Sequence, residues 1–139
     1  MKKILLILMV GIVVLLCGCN ETEKTEKLTY NYDESSMIGD FTIKNNEVII
    51  PCSISVTNNT NEELSFTMTG AFEQDEDNPL LKRRSIPAYP EEDKFALFHI
   101  SPNSTKEYQV LFIGEHAGGT EKMDRLPPED IIFVTTDKS

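Results

Sequence analysis

The chain has no tryptophan, two histidines and three cysteines in 139 residues. Each scarcity removes a class of function. Cys17 and Cys19 fall within the first nineteen residues, so Cys52 is alone in the rest of the chain and no disulfide framework can be built there. Cys52 sits on an alternating apolar face, where a thiol behaves as a small buried hydrophobe rather than a nucleophile. His99 and His116 have no second ligand at metal spacing, so no zinc-type site is expected. No Ser–His–Asp signature, nucleophile elbow or paired-carboxylate motif accompanies them, and the expectation is a protein that is not an enzyme and takes no cofactor or metal. Cations are also in deficit: 13 Lys and Arg against 23 Asp and Glu give a formal charge of −10. That balance excludes nucleic acid, whose phosphates call for Lys and Arg, and disfavours lying flat on an anionic membrane. Finally, no apolar run of helix-length periodicity appears after the first nineteen residues.

Those nineteen residues have an organisation of their own. Lys2 and Lys3 precede an apolar stretch from Ile4 to Leu16, and the next charge is Glu21. The stretch has the length of a secretory h-region and falls short of the ~20 residues that span a bilayer. It closes on Leu16-Cys17-Gly18-Cys19. An apolar residue, two small ones and a cysteine at this place resemble the lipobox of bacterial lipoproteins; the alternative is an uncleaved N-terminal membrane helix. The resemblance implies cleavage between Gly18 and Cys19, a diacylglyceryl group on the Cys19 thiol, and a location on the extracytoplasmic face of the cell membrane. Cys17 departs from the commoner Ala or Ser of that motif while keeping its size. Two acyl chains anchor a protein stably, at about 0.8 kcal/mol per buried methylene. Asn20, rather than Asp, follows the cysteine, which favours the outer face of a plasma membrane as in Gram-positive cells.

Removal of residues 1–18 leaves about 120 residues, enough for one domain. Residues 19–36 are polar and charged, with the near-repeat Thr22-Glu23-Lys24-Thr25-Glu26-Lys27, and read as a flexible tether reaching about 20–25 Å. From 37 to 139 the periodicity is that of strands. Phe41 and Ile43 suggest a short strand ending at Asn45-Asn46. Val48, Ile50, Cys52, Ile54 and Val56 alternate with more polar residues, and Pro51 argues for an edge position or a bulge. Leu64, Phe66, Met68, Gly70 and Phe72 alternate again across an Asn-rich turn, which predicts a hairpin. Glu73 to Asp93 reads as irregular, with Leu80 and Leu81 starting a short edge strand. Phe95 to Ile100, Tyr108 to Ile113 and Ile131 to Thr135 complete the strands, with a long loop from Gly114 to Asp130.

Short antiparallel strands with polar turns predict an all-β sandwich of about six to eight strands. The turn between Val56 and Leu64, and Ile100-Ser101-Pro102-Asn103-Ser104 running into Tyr108-Gln109-Val110-Leu111-Phe112, resemble the immunoglobulin-like modules of Gram-positive surface lipoproteins. The chain lacks the Trp and the inter-sheet Cys pair of antibody domains.

Three stretches are candidates for recognition. Asp75-Glu76-Asp77-Asn78 is acidic, but Leu80 stands where a calcium loop needs Gly and Ile86 where it needs Glu, so it reads as a solvated loop. Lys82-Arg83-Arg84 is the dense basic run, either paired internally or a docking patch for an anionic wall polymer. The loop after Gly114 exceeds the usual length of structureless connections, which marks it as functional or as structurally tied down. Glu115, His116 and Arg125 are its candidate partner-binding residues. The functional expectation is a membrane-anchored binding module for another envelope protein or cell-wall polymer. The alternatives are a small-ligand or ion-binding lipoprotein and an envelope hydrolase.

Overall fold

The computed structural model describes residues 26–74, 76–90, 96–119 and 126–136. Its strands are β1 (Leu28–Tyr30), β2 (Ser36–Met37), β3 (Thr42–Lys44), β4 (Glu47–Asn58), β5 (Leu64–Ala71), β6 (Ser85–Pro90), β7 (Phe98–Ile100), β8 (Thr105–Glu115) and β9 (Asp130–Thr136), with one 3-10 turn at Tyr32–Glu34. The fold is an all-β antiparallel sandwich whose two layers are joined edge to edge, close to a barrel.

The organising strand is β4. Val48, Ile50, Cys52, Ile54 and Val56 are all fully buried, as period-two alternation requires. One edge of β4 carries β1, β2 and β3 end to end, and the other carries β8 from Glu47↔Glu115 to Thr57↔Thr105. Beyond β8 lies β6, so this layer runs in the order β1-β4-β8-β6. The second layer is built on β5, with β6 and β7 along one edge and β9 along the other. Phe66, in β5, gathers Phe98, Tyr108 and Phe133 at centroid distances of 5.8, 5.9 and 5.6 Å. Gly70 leaves room for Phe112, since a Cβ there would lie 2.6 Å from the ring.

Pairing departs from the sequence reading in four places. First, the Asn-rich turn does not make a hairpin: β4 pairs with β8 and β5 pairs with β6, β7 and β9, so the turn carries the chain from one layer to the other. Both strands present apolar faces to the same core, which facing layers satisfy as well as neighbouring strands do. Asn58 makes the corner. Its fully buried side chain donates to Glu62 O (2.8 Å) and Ser101 O (3.0 Å) and accepts from Thr60 N (2.9 Å).

Second, the domain begins at Leu28, not at 37. Leu28 is in the core, and Asn59 N donates to Lys27 O at 2.9 Å, so a tether could extend no further than about residue 27. Asn31, Glu34 and Ser35 then cover the outer face of β4, bonding Ser55 and Thr57, which is why Ser55 is buried.

Third, Pro51 is inside a strand paired on both sides. Its carbonyl accepts from Ile38 N at 2.9 Å, so its nitrogen also turns toward that edge, between the end of β3 and the start of β2. The missing donor falls in a gap in the ladder.

Fourth, residues 85–90 form β6 despite two prolines. Phe72 N donates to Arg84 O, which makes 84 and 86 the bonded positions toward β5 and turns the Pro87 nitrogen away from it. The β8 pairing begins only at Ala88. Of the expected Phe95–Ile100 strand, Phe98–Ile100 is present, and Phe95 lies outside the described residues.

Candidate functional site at the pole opposite the N-terminal segment

Lys27 lies against Asn59, just beyond the C-terminal end of β4, and Asn46, just before its N-terminal end, accepts from His116 N at 2.9 Å. Twelve residues of strand separate these poles, roughly 37 Å at the usual rise. Of the candidate residues, Glu115 and His116 therefore lie at the end of the domain far from Lys27.

Glu115 is not in a loop. β8 continues through it, because Gly114 serves close packing rather than a turn: a Cβ there would meet Ile86 Cγ2 at 2.6 Å and Leu81 Cδ2 at 3.0 Å. Lys82 N donates to Glu115 O at 3.0 Å, and Lys82 Nζ pairs with Glu115 Oε1 at 2.7 Å, both side chains being about half exposed. Arg84 pairs with Glu129, whose own amide donates to Ala71 O. The basic run is thus largely paired internally, as one of the two readings had it; Arg83 is exposed.

His116 forms a bridge with Leu81 and hydrogen-bonds Gly119 O through Nε2 at 2.9 Å; since a carbonyl only accepts, the ring donates. The segment after it is laced to 79–81: Ala117 N donates to Leu80 O (2.9 Å) and Gly119 N to Pro79 O (3.1 Å). Gly118 has φ +101°, and a Cβ on Gly119 would lie 2.3 Å from Pro79 O. Gly119 lets two backbones touch, and Gly118 supplies the positive φ that turns the chain toward it. Gln74 clamps Leu81 from the other side, donating to its carbonyl at 2.8 Å and accepting from its amide at 2.9 Å. The sequence offered no signal for Gln74, which sits among acids and looks solvated; Glu129 was equally unmarked.

Between these segments opens a cleft of about 710 Å³ lined by Glu73, Gln74, Glu76, Lys82, Arg84 and Ala117. It brings carboxylates and cations together beside the buried Leu81. The structure thus brings Glu115 and His116 together with Lys82 and Arg84. Arg125 lies outside the described residues, as do Gly18, Cys19 and Asp75.

His99 is on the outer face of β7, its Nδ1 2.8 Å from Ser65 Oγ, and is far in sequence and strand position from His116. Among the described residues no group of three or more His, Cys, Asp and Glu is placed to hold a metal ion, and no helix is long and apolar enough to cross a membrane. Burial pushes the Cys52 thiol up to about 12, which keeps it protonated and unreactive at neutral pH. Comparison with protein-family models, with curated proteins and with solved structures returned no match.

Proposed function

We propose that this protein is a lipid-anchored, non-catalytic binding module of the cell envelope, held by a diacylglyceryl group on Cys19 on the extracytoplasmic face. The observation that carries the reading is polarity of placement. The chain enters the sandwich at Lys27, and the charged cleft lies at the opposite pole. Eight residues lead from Cys19 to Lys27 and reach at most about 28 Å, so the entry pole stays near the headgroups and the cleft faces outward. Confinement to a surface raises effective concentration, which lets a weak interface with an envelope protein or wall polymer be occupied.

The cleft supports a second reading, a small zwitterionic or ionic ligand held between Lys82, Arg84 and the carboxylates of Glu73 and Glu76. Crosslinking pull-down from intact cells separates them. Full-length bait recovers a macromolecular partner that a Lys82→Ala/His116→Ala variant loses, whereas a small ligand leaves both baits empty and raises the thermal midpoint of purified protein. The anchor is tested by mass: protein extracted from membranes carries the mass of a lipid on Cys19, and Cys19→Ser releases the chain. An unmodified Cys19 in membrane-extracted protein would sink the anchored reading.

A further inference from the structure

The two layers are joined along β6, but on their other side they are not. Among the described residues β1 pairs only with β4, and β9 only with β5. Between them runs a groove of about 700 Å³ lined by Leu28, Tyr30, Ile131 and Phe133, with Glu26 and Asp130 on its rim. Tyr30 Oη donates to Pro128 O at 2.7 Å and ties the walls together at one end.

Both walls present backbone. Ala71 O accepts from Glu129 N while Phe72 N bonds Arg84 O, so the odd-numbered residues of β5 turn toward β9. With Thr67 opposite Val134 and Thr69 opposite Ile132, the bonded positions of β9 are 132 and 134. Ile131, Phe133 and Thr135 therefore aim their amides and carbonyls into the groove. Asp130 Oδ1 takes the Ile131 amide at 2.9 Å, and among the described residues this leaves the amides of Phe133 and Thr135. On the facing wall, Asn31 N→Ser55 O and Asn59 N→Lys27 O fix the odd positions of that segment toward β4, so Leu28 and Tyr30 aim theirs into the groove as well.

Natural sheet edges are guarded by lysine, proline or bulges. β9 has none: Asp-Ile-Ile-Phe-Val-Thr-Thr keeps one unbroken register from Ala71↔Asp130 to Ser65↔Thr136, with Ile132 56% and Val134 58% exposed on its outer face. We propose that the β1–β9 groove receives an extended segment of a partner protein as an added strand, a segment that alternates apolar with basic residues. Backbone pairing to Phe133 and Thr135 supplies register. Apolar side chains of the incoming strand pack toward Ile131 and Phe133. Charge sets the basic preference: Glu26 and Asp130 outnumber Lys27 along the groove, Glu129 being paired with Arg84, in a chain of net charge −10. This inference is independent of the lipid anchor and of the far-pole cleft.

The probe is a capped heptapeptide of alternating lysine and valine, titrated into the full-length chain, with the glutamate-for-lysine peptide as control. The lysine peptide binds at least about tenfold more tightly, and slows hydrogen exchange of the Phe133 and Thr135 amides by about tenfold, while Ile132 and Val134 are already protected without it. Thr135→Pro deletes one groove-facing amide without breaking the β5 ladder, and weakens binding by about tenfold at an unchanged fold. Val134→Lys, on the exposed face, provides the second variant: it weakens the lysine peptide and strengthens the glutamate one. Equal binding of both peptides, or unaltered exchange at 133 and 135, overturns the proposal. So does concentration-dependent protection of those amides without peptide, which would assign the edge to a second copy of the chain.

Discussion

The two poles of this sandwich are built from different chemistry. At the pole where the chain enters, neutral amides do the fastening: Asn58 bolts the layer crossing from inside, Asn59 Nδ2 bonds Glu26 O and Thr29 Oγ1, and Asn103, at φ 49°, donates its amide to Thr60 O. At the far pole, ion pairs between exposed side chains lie over backbone contacts between two segments, Lys82 with Glu115 and Arg84 with Glu129. Amide bonds in a buried corner do not respond to salt, and losing one strands a buried partner. Exposed ion pairs are screened and cheaply exchanged. The difference teaches which end is scaffold and which end can trade its internal partners for external ones.

Four changes break or sharpen that contrast, the strongest first. Phe66→Ala removes the ring that holds Phe98, Tyr108 and Phe133 together, and should cost about 3–5 kcal/mol in denaturant unfolding. Asn58→Ala leaves the carbonyls of Glu62 and Ser101 and the amide of Thr60 without their partner; a loss of about 1–3 kcal/mol, equal in low and high salt, is expected. A marked salt dependence would erase the distinction between the poles.

The third test is alkaline. Burial raises Cys52 from 9.0 to about 12. The folded thiol stays protonated where the unfolded one ionises, so its contribution is complete below pH 9 and is lost as pH rises toward 12. Cys52→Ala should flatten that part of the stability curve; an unaltered slope would assign the alkaline loss to Tyr30 and Tyr108, which burial also raises. The smallest effect belongs to Lys82 and Glu115, whose double-mutant cycle should return about 0.2–1 kcal/mol and vanish in molar salt.

What could be read from the sequence follows the range of the interactions that decide each element. Alternation is local, so β4, β5, β9 and the middle of β8 were legible from their own residues, and with them the all-β sandwich. Pairing is not local. The choice between a hairpin and a layer crossing at 57–61 depends on Ile100 and Ser101, some forty residues on. Prolines masked β6, because whether a missing donor matters depends on the side of the strand it faces. Gly114 read as a turn and proved to be a contact with Ile86 and Leu81, which moved Glu115 from a loop into β8. Leu28 and Tyr30 were hidden among charged neighbours, too few to show a period.

The register at the entry pole also has a mechanical meaning. β1 runs antiparallel to β4, with Leu28 opposite Asn58 and Tyr30 opposite Val56. A chain held before Lys27 and pulled at the far pole is loaded along the strands, so the β1–β4 bonds and the three bonds of Asn59 resist together as a lap joint in shear. Pulled sideways, the same bonds would open one after another like a zipper. Forced opening is governed by a rate, so direction of load, rather than depth of the native well, sets how long the joint lasts.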